Sequence, residues 1–169
     1  MSSKPEKSGA SDTSRNAMTE DTEAVAVLGV AAGEERYLIS MSEVNEVITI
    51  PKLAKVPLTQ PWFLGLANVR GNLYGINDLG VFLGGDPTAF NLKSRILLVS
   101  SGSKALGGFI VNSMLGIRNL SEFTPIKPSK KKLHKGIVAQ YKDLEGRVWR
   151  MLNLLELVHD DKFQHIERQ

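Results

Sequence analysis

The chain has 169 residues, 42% of them hydrophobic and 23% charged, with 15 glycines, 7 prolines and no cysteine. That length suits one domain with a real core. The absence of cysteine excludes a disulfide framework, thiol catalysis and any Cys-ligated zinc or iron–sulfur centre. The formal charge of +3 is unevenly spread: residues 1–23 hold Lys4, Lys7 and Arg15 against Glu6, Asp12, Glu20, Asp21 and Glu23, which leaves a modest positive excess on the remainder. An excess of that size does not identify a nucleic-acid binder.

Residues 1–23 are rich in Ser, Lys, Glu, Asp and Thr. They offer too little apolar surface to offset the entropy of ordering them, so a disordered tail is expected, followed by one domain over 24–169. The N-terminal segment has no apolar stretch of the kind a secretion signal needs. The longest apolar run, Ala24–Ala32, is about half of a membrane span. A soluble, intracellular protein is the expectation.

From Val25 onward the signals are mostly those of strands. Ala24–Ala32 ends at Gly33-Glu34-Glu35 and resumes in the β-formers Arg36–Ser40, so the pair reads as a hairpin. Ser42 is placed to cap a helical turn running through Glu46, before the β-branched stretch Val47–Ile50 stops at Pro51. Pro61 suits the first position of a short apolar helix over Pro61–Ala67, with Gly71 as its stop. Asn72–Asn77 is strand-like, and Asp78 can cap a turn carrying Leu79, Val81, Phe82 and Leu83.

Farther along, Arg95–Ser100 and Leu106–Val111 flank a turn at Ser101–Lys104. Both are nearly all apolar at their centres, as strands buried on two faces are. Met114–Leu120 and Arg147–Leu152 are further strands, the latter entered from a turn at Lys142–Gly146. Asn153 and Glu156 have capping-box spacing, and Leu154, Leu157 and Val158 share one helical face. Many short strands with Gly-rich turns and few helices predict an all-β, barrel-like fold.

Candidates for chemistry are sparse. His134, His159 and His165 lie in polar stretches near the C-terminus, and His159-Asp160-Asp161 with His165 reads as a solvated helix end rather than a metal cluster. No nucleophile elbow, zincin motif or zinc-ligand spacing occurs, so no catalytic or metal-binding residue is assigned. The Gly-rich stretch Ser101–Gly108 is followed by an apolar strand, and no helix N-terminus faces a phosphate there. The basic run Lys127–Lys135 lacks the interleaved aromatic residues that single-strand binders use. It reads as a solvated loop, with nucleic-acid binding through these lysines as the alternative function.

The informative segment is Pro61–Leu79, PWFLGLANVRGNLYGINDL. Arg70 interrupts an apolar stretch, where a charge must be paired or kept at a rim. On chemistry alone, a bridging arginine and a recognition arginine are equally good readings. The segment resembles the N-[LV]-R-G-x-[VIL]-x-P-[VI]-x-D-L signature of CheW-type chemotaxis coupling domains. The resemblance extends through Glu34–Ile39, Val44-x-Glu46-Val47-Ile48, Pro61–Gly65, Gly108–Asn112 and Met151–Leu155, about 145 residues in family-like order. The chain departs from the pattern in four places: Gly75 stands for the signature Pro, Asn112 for a usual Asp, Asn153 for a position often Asp, and Ser113-Met114-Leu115-Gly116 is unlike the common G-V-x-x-V. Within the family, the chain most resembles the branch that serves the pilus, or twitching, chemosensory system.

That resemblance implies a CheW-like fold of two small five-stranded β-barrels around a hydrophobic core, with no active site and no cofactor. It implies a non-enzymatic adaptor, cytoplasmic and recruited to receptor arrays at the inner face of the membrane, touching the membrane only through the receptor. The implied partners are a chemoreceptor cytoplasmic domain and the regulatory domain of a CheA-like histidine kinase. Carried over by position, Arg70, Val44 and Ile117 belong to the receptor groove and Glu46 to the kinase contact. Gly71, Asp78 and Gly108 are structural, Asp78 through helix capping and Gly108 through close strand approach.

Overall fold

The computed structural model describes residues 25–99, 106–127 and 132–168. The expected disordered tail, the turn Ser101–Lys104 and the centre of the basic run, 128–131, lie outside them. Eleven strands are present among the described residues: β1 (Ala26–Ala32), β2 (Glu35–Ser40), β3 (Val44–Ile48), β4 (Phe63–Val69), β5 (Asn72–Asp78), β6 (Arg95–Val99), β7 (Gly107–Val111), β8 (Ser113–Asn119), β9 (Thr124–Ile126), β10 (Ile137–Lys142) and β11 (Val148–Leu152). They form a six-stranded sheet of order β8-β1-β2-β11-β10-β9 and a five-stranded sheet of order β3-β6-β7-β5-β4. β1 and β2 belong to the first sheet, β3–β7 make up the whole of the second, and β8–β11 return to the first, so the first sheet is built from two separate stretches of sequence with the second inserted between them. Two parallel pairings, β2 with β11 and β5 with β7, join strands far apart in the chain; every other pair is antiparallel.

Alternation along the central strands explains how the core divides. On β6, Ile96 and Leu98 enter one cluster with Ala67, Tyr74, Ile76 and Ile110, inside the second sheet. Leu97 and Val99 point the other way, to a cluster that also takes Phe109, Val111, Val30, Tyr37 and Ile39. That second cluster binds the two sheets together, and the short helices Leu79–Phe82 and Leu154–Val158 supply Leu79, Phe82, Leu154, Leu157 and Val158 to it. A third cluster of Val27, Leu38, Phe123 and Trp149 fills the first sheet. β6 and β7 are buried on both faces, as their continuous apolar runs require.

Capping is as the sequence indicates at two helices. The Asp78 carboxylate accepts from the Val81 N–H, and the Asn153 side chain from the Glu156 N–H. Elsewhere three expectations are corrected. Pro61–Ala67 is not a helix: Phe63, Gly65 and Ala67 are the buried positions, a period of two, and Gly65 has φ +139°, outside any helix. Gly71 accordingly ends no helix but sits in the β4–β5 hairpin turn. The helical turn expected from Ser42 to Glu46 is a single 3-10 turn, Met41–Glu43, because the β-branched pairing of β3 with β6 already begins at Val44. The first sheet has six strands rather than five, since the region Thr124–Lys142 contributes both β9 and β10.

Candidate functional site

The β4–β5 hairpin turns in two residues. Arg70 and Gly71 both have positive φ, 52° and 85°, the combination a tight turn matching the twist of its strands demands. Gly71 takes that conformation without strain, and its N–H is held by the Asn68 side-chain oxygen at 3.0 Å. A β-carbon there would meet nothing, so the glycine answers to backbone conformation rather than space. Arg70 accepts a left-handed backbone that costs a non-glycine residue about 1 kcal/mol or more.

What the turn presents is a guanidinium. Arg70 Nη1 and Nη2 donate to both carboxylate oxygens of Glu46, at 2.9 and 2.5 Å. The planar fork matches the carboxylate edge to edge, which fixes direction as well as distance. The two residues come from opposite ends of the second sheet, β3 at one edge and the β4–β5 tip at the other. Those ends meet, because Ala54, just beyond β3, exchanges backbone hydrogen bonds with Leu66 of β4. The ion pair therefore spans the seam of a curled sheet. Glu46 is 29% exposed and Arg70 75%, so the pair leaves most of the guanidinium facing solvent. Leu73, opposite Asn68 on the hairpin, is an exposed aliphatic beside it.

The other expected site residues fall in different places. Val44, at the start of β3, is half-buried and packs against the cluster between the sheets. Ile117 stands on the other sheet, on edge strand β8 opposite Leu28, and is 65% exposed. Arg70 and Glu46 are thus brought into contact, while Ile117 shares no hydrogen bond or apolar cluster with them. Asp78 is buried and does more than cap: Thr88 donates to it through both its backbone N–H, at 2.9 Å, and its hydroxyl, at 2.6 Å. At Gly108 a β-carbon would lie 2.9 Å from Ile96 Cγ2, so the crossing of β5, β6 and β7 leaves no room for one.

Several side chains to which the sequence assigned no role prove to be organised. Asn112 accepts from the Gly33 N–H and donates to the Gly33 carbonyl, tying the β7–β8 corner to the β1–β2 turn. A carboxylate in its place would face that carbonyl with no proton to offer, which accounts for an amide here. Trp149 donates its indole N–H to Asp143. Burial pushes the Asp143 carboxyl up, but hydrogen bonds from Trp149, Arg147 and Glu145 outweigh it and hold the group below the usual carboxylate range.

Near the C-terminus, Lys162 places its ammonium 2.6 Å from the Phe82 carbonyl and over the Trp62 ring. Burial lowers its pKa, with Asp160 opposing. His134 accepts from the Gly136 N–H at Nδ1 and meets Asp160 through Nε2 at 3.1 Å, an arrangement that suits the neutral imidazole. Burial lowers the His134 pKa and Asp160 partly restores it. Among the described residues, no three His, Asp or Glu converge as metal ligands. No helix there is long and apolar enough to cross a membrane.

Residues 26–162 match the CheW-like domain family model. Over 92 residues the chain is 33% identical to Protein PilI of Pseudomonas aeruginosa, covering 54% of this chain and 51% of that protein. Over 100 residues it is 29% identical to the chemotaxis protein CheW of Helicobacter pylori, covering 59% of this chain and 61% of that one. These matches span between half and two thirds of the length of those relatives. Among solved structures, the scaffolding protein TtCheW from Thermoanaerobacter tengcongensis superposes with a TM-score of 0.69 at 20% identity, over 82% of this chain and 90% of that one.

Proposed function

The chain belongs to the CheW-like family, a family of non-enzymatic chemosensory scaffolds, and from that premise we propose that it couples a chemoreceptor's cytoplasmic tip to a CheA-like histidine kinase. The pathway we infer is the one controlling type IV pilus twitching motility, supported by the similarity to PilI. The protein works in the cytoplasm and meets the membrane only through its receptor.

The observation that carries this reading is the Arg70–Glu46 pair. A guanidinium held by one carboxylate, on a strained two-residue turn and mostly open to solvent, is a preorganised hydrogen-bond donor. A helical receptor tip needs such polar groups to set its register, with aliphatics alongside for its apolar face. Arg70 serves the receptor, with Ile117 as an exposed aliphatic and Val44 supporting the start of β3. Glu46 orients Arg70 and marks where kinase and receptor contacts adjoin. Modest patches of this kind suit a multivalent array, in which several weak interfaces act together.

The test is a pull-down of the full chain against a receptor cytoplasmic domain and, separately, a kinase regulatory domain. Binding to both is expected. Binding to neither would overturn the reading.

A further inference from the structure

A different surface is built by the loop between the helix Leu79–Phe82 and β6, at the end of β5 opposite the Arg70 hairpin. Thr88 and Ser94 are buried and pin this loop at two points. Asp78 holds Thr88 through both its N–H and its hydroxyl. The Ser94 hydroxyl donates to the Ala89 carbonyl at 2.6 Å and accepts from the Asn91 N–H at 2.9 Å. Between the pins, Asn91–Ser94 make a turn, in which the Ser94 N–H donates to the Asn91 carbonyl and the Lys93 N–H to the Asn91 side chain. Arg95 closes the loop from β6, its Nη1 donating to the Leu92 and Ser94 carbonyls at 2.8 Å each.

A backbone tied at so many points still presents two large apolar side chains to solvent. Phe90 is 55% exposed, and Leu92, at the corner of the turn, 96%. Turn corners favour Pro, Gly, Asn, Asp and Ser. A single exposed aliphatic is unremarkable; a phenylalanine and a leucine two residues apart, on a loop with no freedom to bury them, form a patch. Beside Leu92 lies a hollow of about 210 Å³, lined by Leu92, Lys93, Arg95, Ser113 and Met114, where the second sheet meets the first. It is smaller than the roughly 300–1,000 Å³ of small-molecule clefts, and suits the side chains of a partner. No carboxylate lines it, and among the described residues neither Lys93 nor Arg95 forms an ion pair. Asp86, the acidic residue of the loop, precedes the Thr88 pin, with its backbone against Gly33 and Gly80. The chain around the hollow, 84–95 and 112–119, is described without a break, and Val25 and Val99 stand at the opposite ends of β1 and β6 from it.

We propose that Phe90, Leu92 and the hollow beside them dock an acidic amphipathic helix of a protein partner. The loop offers no free main chain for strand addition, because the Ala89, Leu92 and Ser94 carbonyls and the Asn91, Lys93 and Ser94 N–H groups are already bonded within it. Recognition here rests on side chains, which a helix, having satisfied its own backbone, is suited to supply. Its apolar stripe covers Phe90, Leu92 and Met114, and carboxylates flanking the stripe meet Lys93 and Arg95. Because the loop is already ordered, docking costs little conformational entropy on this side. The Arg70 hairpin lies at the other end of β5, so failure of this proposal leaves the coupling reading intact.

The test uses the full chain and a fluorescent, helix-stapled 15-residue peptide with Leu at i, i+3, i+4 and i+7 and Glu on both flanks of that stripe, followed by anisotropy and amide chemical shifts. Saturable binding is expected, with shifts concentrated at residues 89–95 and 113–114. The exposed double variant Phe90→Ser, Leu92→Ser should weaken it roughly tenfold or more while melting as the wild type does. Lys93→Glu should weaken it severalfold, and a peptide with Lys in place of Glu should not bind. Absence of shifts at 89–95 would overturn the proposal, as would unchanged affinity in the folded double variant. Tighter binding of anionic phosphatidylserine vesicles or of single-stranded RNA than of the peptide would overturn it too. So would concentration-dependent dimerisation of the chain alone that the double variant abolishes, since the patch would then belong to a second copy.

Discussion

Reversing the charge at Arg70 separates recognition from architecture. In Arg70→Glu the bidentate pair is lost and two carboxylates face each other across the seam of the second sheet. Because the Arg70 side chain is 75% exposed, water screens both effects, and each contributes no more than about 1 kcal/mol. The left-handed backbone at Arg70, φ 52°, is carried by either side chain and cancels. The total is about 1–2 kcal/mol, which for a domain of this size lowers the melting temperature by roughly 3–8 °C. Receptor binding should fall much further, by tenfold or more, since a preorganised arginine is the kind of residue that dominates an interface. Thermal melts by circular dichroism and titration against a receptor cytoplasmic domain measure the two quantities on the same samples. The swapped variant Glu46→Arg, Arg70→Glu restores the ion pair and hence the melt, but presents the guanidinium from β3 rather than from the hairpin, so receptor binding should stay weak. A melt that collapses in the single variant, or receptor binding that returns with the swap, would show Arg70 to be a seam bridge and nothing more.

Other parts of the structure give equally specific expectations. Gly107→Ala places a methyl group 2.5 Å from the Phe163 ring, so it should cost about 1–3 kcal/mol in denaturant unfolding. In a Phe163→Ala background the same change should cost markedly less; equal cost in both would mean that Phe163 is not the obstacle. Asp78→Ala leaves the Thr88 and Val81 N–H groups without their acceptor, a loss of about 2–3 kcal/mol, whereas Asp78→Asn keeps one acceptor and should be milder. His134 has a folded pKa below its ordinary 6.5, so the unfolded chain binds the proton more readily. Its contribution to stability is present above about pH 6.5 and is lost as the pH falls below that value toward the folded pKa. Burial raises the Glu43 pKa against opposing hydrogen bonds, which works in the reverse direction nearer pH 4.5. A melting profile between pH 7.5 and 5.5 should therefore slope downward in the wild type and flatten in His134→Gln.

Which features were legible in the sequence follows from the range of the interactions that make them. β1, β2, β5, β6, β7 and β11 are written in runs of β-formers bounded by turns, and the caps at Asp78 and Asn153 in spacings of three residues. Pro61–Ala67 misleads because a short apolar run carries no period that separates helix from buried strand. Its partner β5 decides the matter, through the register Phe63↔Asn77 to Val69↔Asn72. β9 and β10 are hidden for the opposite reason: Pro125 and the neighbouring lysines read as loop, and only the closure of the first sheet recruits them.

The site divides along the same line. That Arg70 needs a partner is local chemistry, since a charge inside an apolar stretch must be paired or at a rim. That the partner is Glu46, twenty-four positions earlier, depends on the two ends of a five-stranded sheet meeting, which no local pattern encodes. The resemblance had placed these two residues in separate contacts, one for a receptor and one for a kinase. Their bidentate bond makes that separation physically incomplete, because whatever pulls on Glu46 also turns the guanidinium. A partner that engages Glu46 frees or redirects Arg70, and one that engages Arg70 alters how Glu46 is screened. Coupling between two binding events can therefore arise here from one hydrogen-bonded pair, with no movement of the barrels that carry it.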